Sequence, residues 1–338
     1  MATIKDIAKQ TGFSVTTVSR ALNDYPDVNA DTKRIIKEVA DRLDYTPNLL
    51  AQSLVTKKSR TIGLLIAGLT SESIKDNFMF QILLGINGYV TSEGYEMILL
   101  STDTSKQQNK TLHQVVAERN LDGVIIEGLR MNDAYVLEAL DSAFPTVFID
   151  IPIENQTSGY VTVDQKSSVI SAVKYLYRLG HRNIAFLAGQ QDAFVSNERL
   201  DAYQTALKEL NIYNERYIYY GNFAEQASYV NSLSFLLNNT EVTAILSASD
   251  VMALGVLKAC KELNIEVPDE LSIVGFDNIL LTEYVTPPLT TISQSPFELG
   301  KNAAKLLLDM IQKRPLKDHH IILDTQLIVR DSTKKHEN

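Results

Sequence analysis

A small all-α head built on a helix-turn-helix, followed by an α/β body of two similar lobes, is the fold class that three observations predict. The first is the run Ile4 to Asn23, IKDIAKQTGFSVTTVSRALN, which reads as two short amphipathic helices joined by a tight turn. The second is a change of texture from Ile62 onward, where apolar runs of four to six residues alternate with amphipathic helical stretches. The third is charge. Residues 1–60 hold ten Lys/Arg against seven Asp/Glu, a net +3, while the remainder holds 22 against 34, a net −12. A basic head on an acidic body suits a head that touches a polyanion and a body that does not.

Thr3 is placed to cap the first helix, with Asp6 as its capping-box partner. Ile4, Ile7 and Ala8 follow at helical spacing. Gly12 ends that helix and permits a left-handed turn. Ser14 then caps a second helix that runs to about Leu22. Along it Val18, Ala21 and Leu22 share one side, and Thr16 and Arg20 point the other way. This is the layout of a DNA-binding helix-turn-helix. Spacing alone would also suit an ordinary αα-hairpin in a helical core. A third helix starts at Asn29 or Asp31 and carries Ile35, Ile36, Val39 and Leu43 as its apolar stripe. Tyr45-Thr46-Pro47 stops it.

The head is predicted to span residues 1–58, including a short helix at about 48–55 that ends before Lys57-Lys58-Ser59-Arg60. A segment that short is marginal alone. It is either a linker or a helix that forms only on DNA, against its copy from a second subunit.

The body, 59–338, shows two series of strands. One begins near Ile62, Tyr95, Gly123 and Thr146, the other near Ile184, Tyr217, Val242 and Leu271. Strand, helix, strand at this spacing predicts parallel sheets with right-handed crossovers, covered on both faces. Pro287 to Ile292 reads as a rigid crossing that extends neither series. A helix from Phe297 to Ile311 and short strands at Ile321–Leu323 and Gln326–Val329 then cross back to complete both lobes. Lobe one is expected at about 60–160 and 293–322, lobe two at about 161–292 and 323–331.

The chain has no run of about 18 apolar residues and opens without an apolar signal segment. Its single cysteine, Cys260, forms no internal disulfide and reads as a buried small hydrophobe. A cytoplasmic location is expected. His113, His181, His319, His320 and His336 lack a metal-ligand spacing. No GxGxxG, Walker loop or GxSxG elbow is present. No metal, cofactor or catalytic residue is therefore expected.

The head motif, the segment Pro47 to Leu54, Ser249-Asp250-Val251-Met252-Ala253-Leu254-Gly255, Val274-Gly275-Phe276-Asp277 and Pro287 to Gln294 together resemble the LacI/GalR family of bacterial transcription regulators. The resemblance covers essentially the whole chain. It implies a periplasmic-binding-protein-like body, a dimer or tetramer (of which a homodimer is expected here), operator DNA bound by the head and a small effector between the lobes.

Matched position by position, it implies base reading by Val15, Thr16 and Arg20. It implies phosphate contacts from Thr17, Ser19, Asn23 and Asn29, and a minor-groove wedge at Leu54. Arg20 has the chemistry to fork onto guanine, whereas the phase of Val15 suits core packing as well as a thymine methyl. In the body the resemblance implies effector contacts from Phe78, Asp150, Arg199, Phe223, Ser249, Asp277 and Gln294. Paired carboxylates, an arginine and an aromatic plate are what a polyhydroxylated ring needs. Taken singly, Phe78 and Phe223 also suit a core, and Asp150 and Asp277 also suit strand-end caps. The lobe-one wall reads Asp76-Asn77-Phe78-Met79 where many relatives have Asn-Pro-Phe-Phe, and Ser249 stands at a frequent Asn. The expected function is a sugar-responsive repressor of carbohydrate-utilisation genes. A purine-type corepressor is the alternative effector.

Overall fold

The structure, a computed structural model, describes residues 2–45, 59–68 and 77–337. The helix expected at 48–55, and Leu54 with it, lies outside the described residues. The chain divides into two units, residues 1–59 and 60–338.

The first unit is a three-helix head: α1 (Ile4–Thr11), α2 (Val15–Leu22) and α3 (Ala30–Arg42). Its caps follow the sequence. Asp6 Oδ2 accepts from the Thr3 backbone N–H at 2.8 Å, Ser14 Oγ from Thr17 N–H at 3.0 Å, and Asn29 Oδ1 from Thr32 N–H at 2.7 Å. Gly12, at φ +75°, closes α1 by donating its N–H to Ala8 C=O. Ile7, Ala8, Val18, Ala21, Ile36, Val39 and Ala40 form the core, with Leu22 and Leu43 packed against it. Ile35, expected in the stripe of α3, is instead 39 % exposed, because at about 100° per residue it falls at the outer edge of the face that Ile36, Val39, Ala40 and Leu43 turn to the core.

The second unit holds two six-stranded sheets. In the first, β1 (Thr61–Ala67), β2 (Glu96–Thr102), β3 (Gly123–Glu127), β4 (Thr146–Ile149), β5 (Ser158–Val163) and β11 (His320–Leu323) lie in the order β11-β5-β4-β3-β1-β2, all parallel. In the second, β6 (Ile184–Ala188), β7 (Ile218–Tyr220), β8 (Ala244–Ser247), β9 (Ser272–Asp277), β10 (Thr290–Ser293) and β12 (Gln326–Ile328) lie in the order β12-β10-β9-β8-β6-β7. Only β12 is antiparallel there, to β10.

Around the first sheet pack α4 (Phe78–Ser92), α5 (Thr104–Asn109), α6 (Leu112–Glu118), α7 (Ala134–Leu140) and α12 (Pro296–Ile311). Around the second pack α8 (Gln165–Arg178), α9 (Phe194–Glu209), α10 (Glu225–Asn238) and α11 (Asp250–Leu263). Helices α4 and α12 touch backbone to backbone. A Cβ on Gly85 would overlap Phe297 C=O, and one on Gly300 would overlap Ile82 C=O. Among the described residues no helix is long and apolar enough to cross a membrane.

Two strands differ from the sequence reading. Residues 158–163 form β5 with no helix between β4 and β5, so the strand–helix rhythm passes over it. Thr290–Ser293, read as a crossing, is β10 and extends the second sheet in parallel with β9. Ser293 therefore lies in the second sheet, and 161–163 and Leu323 lie in the first. The tail also runs past 331 on the second lobe. Ser332 Oγ donates to Ile273 C=O at 2.6 Å, and His336 N–H donates to Leu179 C=O at 2.7 Å. The chain passes between the sheets three times, after β5, after β10 and after β11.

Candidate DNA interface and effector cleft

On the head, the residues expected to read bases lie on the surface of α2. Val15 is 46 % exposed, which settles its phase: it is not in the core. Thr16 is exposed, and Thr17 and Ser19 are half-buried. Thr17 and Ser14 share a hydroxyl–hydroxyl hydrogen bond of 2.8 Å. Asn23 Nδ2 donates to Ser19 C=O at 2.8 Å, and Asn29 caps α3, so both also have local structural work.

Arg20 is held by its own head. Its Nε donates to Asp27 Oδ2 at 2.9 Å, its Nη2 lies 2.7 Å from the same oxygen, and its Cζ sits 4.5 Å from the centre of the Tyr25 ring. Arg20 in turn holds the Asp27 carboxyl below the usual carboxylate range. Neither Tyr25 nor Asp27 was marked by the sequence.

In the body, four of the seven expected effector residues converge where the chain crosses between sheets. Asp150 follows β4 directly at φ +60°, and Asp277 ends β9 at φ +120°. Open α/β sheets place ligands at such strand ends. Asp150 Oδ1 accepts from Thr162 Oγ1 at 2.6 Å and from Gln165 Nε2 at 3.5 Å. Gln165, at the start of α8, passes the connection on by accepting from Arg199 Nε at 2.8 Å. Arg199 Nη1 donates to Ala248 C=O and lies 4.0 Å from Asp277 Oδ1, while its Cζ stacks 3.6 Å from the centre of the Phe276 ring. Gln294, at the second crossing, closes the series by donating Nε2–H to Asp277 Oδ1 at 2.5 Å.

The series Asp150–Gln165–Arg199–Asp277–Gln294 thus ties both lobes together through side chains. Burial pushes the Asp150 carboxyl above its ordinary pKa, against the pull of Thr162, Arg199 and Gln165. Burial likewise pulls the Arg199 guanidinium down, against Asp277, Asp150 and Asp250. Gln294 is 1 % exposed, and its Oε1 has no hydrogen-bond partner among the described residues. A buried acceptor in that state favours a ligand that donates.

Beside this series lies a cleft of about 390 Å³. Phe78, Asn77 and Gln81 line it from lobe one, and Asp277, Asn278 and Glu283 from lobe two. Ser249 is 5 % exposed and caps α11, its Oγ accepting from Met252 N–H at 3.3 Å. Phe223 lies in a positive-φ turn after β7, with its ring pressed on Gly189.

Sequence reasoning missed Gln165, which has no motif and sits where a helix start tolerates any polar residue. It also passed over Asp250, whose two oxygens accept from Ile279 N–H at 2.9 Å and Thr291 Oγ1 at 2.6 Å. Its full burial at a helix start marks it in the structure and leaves no trace in the sequence. Cys260 is buried as expected, and burial pushes its thiol up to about 12.

Residues 3–48 match the lacI family of bacterial regulatory proteins, and residues 173–333 match periplasmic binding protein-like domains. The chain is 31% identical over 338 residues to the HTH-type transcriptional repressor PurR of Vibrio campbellii, covering 99% of each. Among solved structures it is similar to the Lac repressor dimer bound to operator and the anti-inducer ONPF. There the identity is 28%, the TM-score 0.83, and the match covers 98% of this chain and 99% of that one. It is also similar to the complex of the transcriptional regulator CelR with cellobiose, at 27% identity and TM-score 0.75, covering 98% of this chain and 100% of that one.

Proposed function

This chain belongs to the lacI family of bacterial regulatory proteins, and from that premise we propose that it is a cytoplasmic, homodimeric repressor whose head reads operator DNA and whose cleft binds a small sugar. The observation that carries the sugar reading is the acceptor-rich polar series at the lobe crossings. Asp150, Asp277 and the unpartnered Gln294 Oε1 are all acceptors, whereas Arg199 already spends donors on Gln165 and Ala248. Such a site suits a neutral ligand with many hydroxyl donors and disfavours an anionic one. Phe78 and Phe223 supply apolar plates for C–H faces, and Ser249 stands at the same strand-end level. CelR in complex with cellobiose and the Lac repressor with ONPF fit this choice.

On the head, Val15, Thr16 and Arg20 read base edges in the major groove. Thr17, Ser19, Asn23 and Asn29 fix the register on phosphates. The effector acts through its different affinity for two arrangements of the lobes, and operator binding selects between the same two.

A melting screen of neutral mono- and disaccharides against purine bases and nucleosides tests the effector. A sugar present at 100 times its Kd should stabilise the chain by about 2.7 kcal/mol. Stabilisation by purines alone would overturn the sugar reading while leaving the family intact.

A further inference from the structure

We infer that Asp27 and Tyr25 are positioning residues for base reading, holding the Arg20 guanidinium so that its outer edge stays available to a guanine. The inference rests on Arg20 as the base reader proposed above. A guanidinium offers two forked edges. The side edge, Nε with the near hydrogen of Nη2, is the one Asp27 takes: both nitrogens reach Oδ2, at 2.9 and 2.7 Å. The end edge, Nη1 with the far hydrogen of Nη2, is the one that matches guanine O6 and N7. Asp27 therefore does not compete with a base for donors. The Tyr25 ring, 4.5 Å from Cζ, restricts rotation of the guanidinium plane.

The turn that presents Tyr25 and Asp27 is itself fixed. Tyr25 N–H donates to Arg20 C=O at 3.0 Å, Lys33 Nζ donates to Asp24 C=O at 3.0 Å, and Lys37 Nζ lies 2.9 Å from Asp24 Oδ1. Val28 anchors the far side on the head core. Arg20 thus meets DNA with its side-chain freedom already reduced, which lowers the ordering cost of the contact. The Arg20 and Asp27 side chains are 42 % and 54 % exposed, so the ion pair contributes little to folding. A carboxylate on a surface that approaches phosphates also weakens sequence-independent attraction. What it returns is discrimination.

The test uses the full chain and a duplex selected by it from a randomised pool. Binding is measured on that duplex, on versions with each G·C pair replaced in turn, and on a scrambled duplex. The proteins are the wild type, Arg20→Ala, Asp27→Asn and Asp27→Glu. Arg20→Ala identifies the base pair that Arg20 reads. At that pair, Asp27→Asn should lose about threefold to tenfold of the preference. Its affinity for the scrambled duplex should rise, since a negative charge has gone, and its melting temperature should hold. Asp27→Glu, which still accepts from the side edge, should keep most of the preference. Wild-type preference in Asp27→Asn, or equal loss in the Glu and Asn variants, overturns the positioning role. If Arg20→Ala keeps every preference, Arg20 is not the reader, and that failure is separate.

Discussion

The two arginines at the centre of the two sites are built to opposite specifications. Arg20 stands on the surface of α2 with an exposed carboxylate partner, and Asp27 raises its pKa. Arg199 is 3 % exposed, its donors are committed to Gln165 and Ala248, and burial lowers its pKa. Reading a polyanion needs donors presented to solvent that can exchange partners. Holding a small neutral ligand needs a buried frame whose partners are fixed beforehand. Under the function proposed above, the same side chain serves recognition in the head and architecture in the body.

The sharpest way to break this comparison is to truncate both arginines. Arg199→Ala leaves Asp150, Asp277 and Gln165 facing a void, and should cost about 3–5 kcal/mol of body stability in chemical denaturation, with effector binding lost. Arg20→Ala should leave the melting temperature unchanged. Its preference for operator over scrambled duplex should fall by between about fivefold and a hundredfold per half-site. A stability loss in the head variant comparable to that in the body variant would erase the distinction.

Acid should also separate the regions. The head contains no histidine, whereas the body buries His181, whose ring nitrogens meet Thr243 Oγ1 at 2.9 Å and Lys334 C=O at 3.1 Å. Burial lowers its pKa from 6.5 to about 4. The unfolded chain then binds the extra proton first, so this contribution is complete above pH 6.5 and is lost as pH falls toward 4. The loss should approach about 3 kcal/mol. A His181→Gln variant should lose that part of the pH slope, as read by denaturation at pH 7 and pH 4.5. An unchanged slope would remove His181 from the account.

Gly189→Ala is a smaller perturbation. Its new methyl would overlap the Phe223 ring, so the ring must shift, at about 1–3 kcal/mol. Effector affinity should fall while operator affinity without effector stays level. Smallest of all, Arg130 Nη1 meets Asp192 Oδ2 at 3.2 Å across the two lobes, an exposed pair. Asp192→Asn should change effector affinity by no more than about fivefold, and the change should vanish in high salt.

Legibility in the sequence follows the same division. The head was readable because caps and apolar spacing are local: Thr3, Gly12, Ser14 and Asn29 each act within four residues. The long central strands were readable from their apolar runs. Strand β5 was not, because Gly159 breaks its pattern; the glycine is there to admit His319 C=O, just before β11, a contact made by distant chain. Strand β10 was hidden by the prolines before it. The resemblance supplied Asp150, Arg199, Asp277 and Gln294, yet their linkage through Gln165 exists only once two crossings meet. For Phe223 and Ser249, which the resemblance also supplied, packing on Gly189 and capping of α11 are what the structure records.

The claim that a surface reader is switched by a ligand between the lobes is met most directly by measuring operator affinity with and without the stabilising sugar, and sugar affinity with and without operator. The two ratios should be equal, whichever direction the switch takes. A sugar that saturates the cleft and leaves operator affinity unchanged would contradict it.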